Sequence, residues 1–250
     1  LKGKKTWYSR AIAPVFWLAV WALAAAGVGK ELILPGPALV ARTLAGLVGT
    51  PAFWQTTWAT LGRIFGGLLA GVLAGIVLAV CTSASTVLDW VLSPAVRVIR
   101  ATPVASFILL VILWAPTGQV PAIVAALMVL PVVWGNVSRG IAQTDPLLLE
   151  AAAAYRFGRW KTVKLVYAPS VLPYFASGCH TALGLAWKAG VAAEVLCVPR
   201  RAIGTQVYFS KIYLETPELF AWTLVVLILS FLLERVMGTL LKRLEQGDKT

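Results

Sequence analysis

The 250-residue chain is 59% hydrophobic and only 13% charged, with a formal net charge of +12 and a mean hydropathy of +0.82. Soluble domains carry about 25% charged residues, so this composition excludes an ordinary water-soluble domain and points to an all-α integral membrane protein. The basic excess reads as membrane topology and not as a nucleic-acid footprint.

A spanning helix needs about 20 mostly apolar residues. Residues 11–29 are uncharged and form the first predicted span. That run is long for the apolar region of a signal peptide, so an uncleaved helix is expected. Residues 30–60 follow as a loop on the far side. "LPGP" at 34–37 breaks the chain there, and 38–48 forms a short interfacial helix. The second span covers the uncharged residues 64–82. Its Gly67, Gly71 and Gly75, with Gly62 and Gly66 ahead of them, make a small-residue stripe for close helix packing. The third span is expected over 101–115, with Arg97 and Arg100 on one face just before it, near headgroups. The fourth covers 120–138, the fifth 165–187 with no Asp, Glu, Lys or Arg and a single histidine, His180, and the sixth 219–233. Six transmembrane helices leave almost no room for a soluble domain.

Basic residues divide unevenly between the loops. Lys2, Lys4, Lys5 and Arg10 precede the first span. Arg139, Arg156, Arg159, Lys161 and Lys164 lie between spans four and five, and Arg235, Lys242, Arg243 and Lys249 follow the sixth. The other side collects Lys30, Arg42, Arg63, Arg200, Arg201 and Lys211. The positive-inside rule therefore puts both termini and the loop at 139–165 in the cytoplasm.

That loop contains "EAAAAYRFGRWKTVKLVYAPSVLP", Glu150 to Pro173. Asp145 suits an N-cap and Pro146 the first helical turn. Glu150 lies early, where the helix dipole favours an anion, and four alanines follow with no bulk. Gly158 is the expected end of this helix, and a second helix begins at Arg159.

Glu150-Ala151-Ala152, then Arg159-Trp160, then Pro169-x-x-x-Pro173 resemble the "EAA" loop of the membrane permease subunits of type I ABC importers, most closely the nitrate, sulfonate and taurine group. "SPAVRVIRATPVASFILLVILW" at 93–114 is similar to that group's third-span region, "LGLAWKAGVAAEV" at 183–195 to its fifth span, and "LPGP" to its periplasmic segment. One departure is local: the family's usual glycine, six residues after the motif glutamate, is Arg156 here, and the residue before the first proline is Ala168. The resemblance implies a six-helix permease fold in a bacterial cytoplasmic membrane, with a second permease subunit (identical or not), two ATP-binding subunits, a substrate-binding protein outside and lipid around it. ATP and Mg would act at the partner ATPase, and this chain would bind no cofactor. The coupling residues implied are Glu150, Ala151, Ala152, Ala153, Tyr155, Arg156, Gly158 and Arg159. The organisation expected is a tail, first helix and external segment over 1–60, a five-helix core over 61–241 and a tail over 242–250.

The residues agree with that division of labour. A phosphate-binding loop needs G-x-x-x-x-G-K-[ST]. The nearest approach, Gly27–Glu31, has Ala24 at the first glycine position and Glu31 at the last. There is no metal or nucleophile motif, and Cys81, Cys179 and Cys197 form no C-x-x-C pair. Ionisable groups within a span mark a pathway or a partner, so His180, Trp187, Lys188 and Glu194 are candidate pathway residues. At about 100° per residue, Lys188 and Glu194 fall on different helix faces. Trp7, Trp54, Trp90, Trp114 and Trp222 lie near predicted span ends, as an aromatic belt would. A small organic or inorganic anion or a vitamin precursor is the expected cargo. A stand-alone channel or secondary transporter is the alternative function, though the internal repeats common in secondary transporters are missing.

Overall fold

The computed structural model describes the backbone of residues 2–247 and the side chains of residues 12–239. Trp7 and the tail cations Lys2, Lys4, Lys5, Arg10, Lys242, Arg243 and Lys249 lie outside the described side chains. The described chain is helical throughout: α1 Lys2–Val28, α2 Pro37–Val48, α3 Pro51–Ala84, α4 Thr86–Ala101, α5 Val104–Trp114, α6 Val120–Ala142, α7 Pro146–Ala154, α8 Arg159–Thr162, a π-helical segment Val163–Tyr167, α9 Ala168–Cys197, α10 Ile203–Ile212 and α11 Thr216–Gly247.

The core is a three-helix sandwich in which α6 packs along both α3 and α9. Its interior holds Ile64, Leu68, Val129, Val133, Leu183 and Trp187. The glycine stripe of α3 explains how close the first pair comes. A Cβ on Gly67 would overlap the Ala122 carbonyl, and one on Gly71 would lie 2.6 Å from the Ala126 oxygen. Gly75 meets Val133 in the same way at 2.9 Å, whereas Gly62 and Gly66 face open space. The packing stripe is therefore Gly67, Gly71 and Gly75, and the two earlier glycines are not part of it.

Among the described residues, three helices are long and apolar enough to cross a bilayer: α3, α6 and the Thr216–Thr239 part of α11. The α4–α5 pair makes a fourth if its two halves count as one. This is fewer than the six expected, for identifiable reasons. The described apolar part of α1, Ile12–Val28, is short. α9 has the length, 30 residues, but carries Ser177, His180, Thr181, Lys188 and Glu194 along it. The third span is not one helix. Thr102 is extended (ψ 131°) ahead of Pro103, and α4 and α5 meet at a bend of 108°. A proline disfavours the helical region for its predecessor and removes an amide. The 11 residues of α5 reach about 16 Å, half of a hydrocarbon core of about 30 Å.

The outlying elements are pinned by single polar contacts. Trp21 Nε1 donates to the Pro35 carbonyl (3.1 Å) and its ring stacks on Phe220 at 6.0 Å. Trp54 Nε1 donates to Val48 O at 3.0 Å, joining α3 to α2. Trp54, Trp90 and Trp114 are exposed. Trp222, expected in the same belt, is instead buried and stacked on Phe53 at 5.2 Å. Its neighbourhood is core because α2, α9 and α10 all pack on α11. Cys179 and Cys197 are buried, Cys81 is half-buried, and all three are free thiols.

Candidate functional site

Two places carry the sequence-predicted residues: the α7–α8 loop at one end of α9, and α9 itself. The loop begins as its residue types dictate. The Asp145 carboxylate accepts from Leu147 N at 2.9 Å, and Pro146 occupies the first turn. The helix stops at Ala154, earlier than a Gly158 terminus would allow. Arg156 makes the reversal, with φ +52°, and Gly158 is extended as the N-cap of α8. The left-handed conformation costs an L-residue about 1–2 kcal/mol. Arg156 thus occupies the conformation for which a glycine is the unstrained choice. Lys161 Nζ sits 4.1 Å over the Phe157 ring, closing the turn.

The loop helix has two faces. Leu147, Leu148, Ala151, Ala154 and Tyr155 are exposed and share one side at positions i, i+1, i+4, i+7 and i+8. Leu147 is 70% and Tyr155 78% exposed, and Trp160 beyond the turn is 79% exposed. Glu150, Ala153, Arg156, Gly158 and Arg159 are exposed as well. Ala152 alone of the predicted set turns inward and is buried against the chain's own body. The π-helical segment then carries the chain into α9. Pro169 stands four residues after Leu165, where an α-helical turn would drive its ring into the Leu165 carbonyl. The wider π turn over Val163–Tyr167 accommodates it. An apolar cleft of about 490 Å³ opens beside this segment, between the ends of α3 and α6, lined by Ile76, Val80, Val137, Ile141, Val163 and Tyr167.

On α9 the four candidates separate. His180 and Lys188 are exposed, on a stripe with Ser177, Thr181, Leu185 and Ala192. Trp187 is buried and donates Nε1 to the Val226 carbonyl at 3.2 Å, tying α9 to α11. Glu194 is fully buried on the opposite side from Lys188, as their angular separation predicts. Its carboxylate accepts from Thr60 Oγ1 (2.9 Å), Arg63 Nη1 (3.3 Å) and the Gly204 amide (3.1 Å). Arg63 also donates to the carbonyls of Arg200 (2.7 Å) and Arg201 (3.1 Å), and Thr60 Oγ1 accepts from Ile203 N at 2.9 Å. Gly204 must be glycine here, because a Cβ would stand 2.5 Å from that of Glu194. Sequence reasoning counted Arg63 as a loop charge and missed this clasp. The available signal was an acid and a cation of opposite sign, each in an otherwise apolar segment. Their pairing needs the antiparallel packing of α3 and α9.

Residues 71–246 match the family described as "Binding-protein-dependent transport system inner membrane component". Among curated proteins, the chain is 32% identical to the riboflavin transport system permease protein RibX of Chloroflexus aurantiacus, over 89% of this chain and 85% of that one. It is 28% identical to the taurine transport system permease protein TauC of Escherichia coli, over 90% and 83% respectively. Among solved structures, an amino acid ABC transporter superposes with a TM-score of 0.64 at 21% identity, covering 82% of this chain and 97% of that one. The MetNI methionine ABC transporter in an inward-facing conformation gives 0.60 at 18% identity, covering 76% and 93%.

Proposed function

The chain belongs to the inner-membrane component family of binding-protein-dependent transport systems, and from that premise we propose how its parts divide the work. It is the multi-pass translocation subunit of an ATP-driven importer in the cytoplasmic membrane. The six crossings are α1, α3, the α4–α5 pair, α6, α9 and α11, with both termini in the cytoplasm. Two such subunits, identical or paired with a second permease chain, enclose the pathway. Two ATP-binding subunits, where ATP and Mg act, dock on the cytoplasmic loop, and a binding protein delivers cargo to the opposite face. RibX and TauC are named for a vitamin and a sulfonate. A small anion of that kind or a vitamin precursor is the cargo class we assign.

The observation that carries this reading is the exposed stripe Leu147, Leu148, Ala151, Ala154 and Tyr155 on α7. A short helix with an unpartnered apolar side is the form that seats in a groove of a partner. Its alanines let it sit deep, and Glu150 and Arg159 flank it. The exposed stripe of α9, with Ser177, His180, Thr181 and Lys188, is the pathway wall. Such polar groups are costly against lipid and face a pathway or a partner. Trp187 and Glu194 hold that wall in place from behind.

The test is Ala151→Trp in the complete importer. Misfit at the centre of an interface costs about 2 kcal/mol or more, roughly a thirtyfold loss of affinity. The variant is expected to insert and to pair with its permease partner but to lose the ATP-binding subunits on purification. Full retention of those subunits with normal transport would refute the docking role.

A further inference from the structure

We propose that the apolar cleft beside the π-helical segment binds one anionic phospholipid, with an acyl chain in the cleft and the phosphate on Lys164 and Lys161. The site rests on α3 and α9 crossing the bilayer and not on the partners of the importer. The cleft holds about 490 Å³, within the range of about 300–1,000 Å³ found for pockets that take small molecules. Its walls are Ile76 and Val80 of α3, Val137 and Ile141 of α6, and Val163 and Val171 at either side of the start of α9. Those side chains suit an aliphatic chain, because a polar ligand would lose its hydration there without gaining hydrogen bonds. Ser83, next to the last residue of α3, and Tyr167, just ahead of α9, add hydroxyls to the wall at the loop end.

The cleft faces away from the polar stripe of α9. Ala168, on its wall, precedes Ser177 of that stripe by nine residues, about 900° of rotation and so half a turn out of phase. Its mouth lies instead on the outer face of α3. Val80 belongs both to the wall and to the exposed apolar row Leu69, Leu73, Val77 and Val80, whose spacing keeps it on one side of the helix. α3 is long and apolar enough to span a bilayer, so that row meets acyl chains. The stripe of α7, by contrast, lies on the loop, beyond the end of the spanning helix.

Charge decides which lipid. No acidic residue occurs between Glu150 and Glu194, whereas Arg156, Arg159, Lys161 and Lys164 stand together just ahead of α9. Lys164 follows the wall residue Val163 and comes one turn before the wall residue Ala168, which puts it on the rim at the loop end, where it is exposed. Lys161 is one turn further out, its Nζ 4.1 Å over the Phe157 ring. On α4, which packs on α3 and α6, the Asp89 carboxylate is engaged by the Ser93 hydroxyl. Ammonium groups at the mouth of an apolar cleft pair with a phosphate whose tail fills it, and the long lysine stems bring them to headgroup level. A zwitterionic lipid gains the tail contacts but less from the two cations.

The experiment reconstitutes the complete importer in phosphatidylcholine nanodiscs. These carry a trace of phosphatidylglycerol or of phosphatidylcholine with a photoactivatable diazirine on the acyl chain. Labelled peptides are mapped by mass spectrometry after illumination. In wild type, peptides covering 76–84 and 163–171 are expected to take roughly tenfold more label from the phosphatidylglycerol probe than from the phosphatidylcholine probe. The α3 stretch 69–73 is expected to take equal label from both. K161Q/K164Q is expected to bring the phosphatidylglycerol label in the cleft down to the phosphatidylcholine level. Ala84→Trp, which fills the cleft from an exposed wall position, is expected to lower cleft label from both probes. Should Ala84→Trp not assemble, K161Q/K164Q, which alters exposed side chains alone, decides the matter. Equal labelling of the cleft by the two probes in wild type, or an undiminished preference in K161Q/K164Q, would overturn the site. So would undiminished cleft label in Ala84→Trp. Label along α3 with none in the cleft would show a protein chain covering it and overturn the site as well. Absence of label from α3 too would refute the membrane placement of that helix, and the site with it.

Discussion

Arg63 divides its guanidinium among three acceptors: the Glu194 carboxylate and the carbonyls of Arg200 and Arg201. Two residues of this corner, Val198 and Arg201, have left-handed φ of +48° and +52°. The clasp holds a strained turn between α9 and α10. A buried ion pair is weak evidence of net stability, but removing one partner alone strands a charge and costs about 3–5 kcal/mol. Arg63→Ala, which leaves the fully buried Glu194 uncompensated, is expected to destabilise by that amount. Glu194→Gln keeps hydrogen-bonding capacity and is expected to cost less. Thermal unfolding in detergent followed by tryptophan fluorescence checks the order, and equal stability of Arg63→Ala and wild type would contradict the clasp. Arg156 is the opposite case, a residue in a conformation that glycine adopts freely. Arg156→Gly is expected to stabilise the α7–α8 turn by up to about 1 kcal/mol, read as slower proteolytic nicking of the loop. Faster nicking would show that the arginine side chain, not its backbone, secures the turn. Sequence reasoning settled neither feature: a cation at the usual glycine position does not declare its φ, and an acid and a cation in separate apolar segments are a signal for the Arg63–Glu194 pair that becomes a contact only once two distant helices pack.

At the scale of elements, the α3–α6 contact depends on the absence of side chains. Gly71→Leu would drive its side chain into the Ala126 carbonyl and Val129, and overpacking of this kind costs about 1–3 kcal/mol, more where backbone is struck. Loss of the folded, monodisperse protein in detergent is the expected result. The same change at Gly66, which meets nothing within 4 Å, is expected to be tolerated, and equal behaviour of the two would contradict the packing. Here much was legible beforehand. The α7 cap at Asp145, the α2 helix after "LPGP" and the glycine stripe follow from local chemistry that tertiary contacts did not override. The α4–α5 break was less so. Pro103 marks it, but an apolar run of helical length straddles residues on both sides and reads as one span. α10 was missed because a ten-residue helix of mixed composition offers no apolar periodicity, and it exists through its hold on Glu194 and its packing on α11.

At the scale of the molecule, α7 and α10 sit at opposite ends of α9, a helix of 30 residues and about 45 Å. In the topology we propose from the charge division between loops, the α7 end faces the cytoplasm. In a background without Cys81, Cys179 and Cys197, a cysteine replacing the exposed Gln143 is expected to react with a membrane-impermeant thiol reagent only from the cytoplasm. One replacing the exposed Lys211 should react only from outside, and labelling from the reversed sides would contradict the topology. Fold and membrane location follow from hydropathy over long windows, which averages out local irregularity. The count of crossings resists the same reading, because the polar stripe of α9 lowers its mean hydropathy below that of an unbroken apolar span.

The most direct test of the central claim, that α7 is the seat of the ATP-binding subunits, is disulfide cross-linking in the assembled importer. A cysteine at Ala154, on the exposed stripe, is expected to cross-link to a cysteine in the ATP-binding subunit, whereas one at Lys211 is not. Cross-linking through Lys211, or through neither position in an importer that hydrolyses ATP and transports, would contradict it.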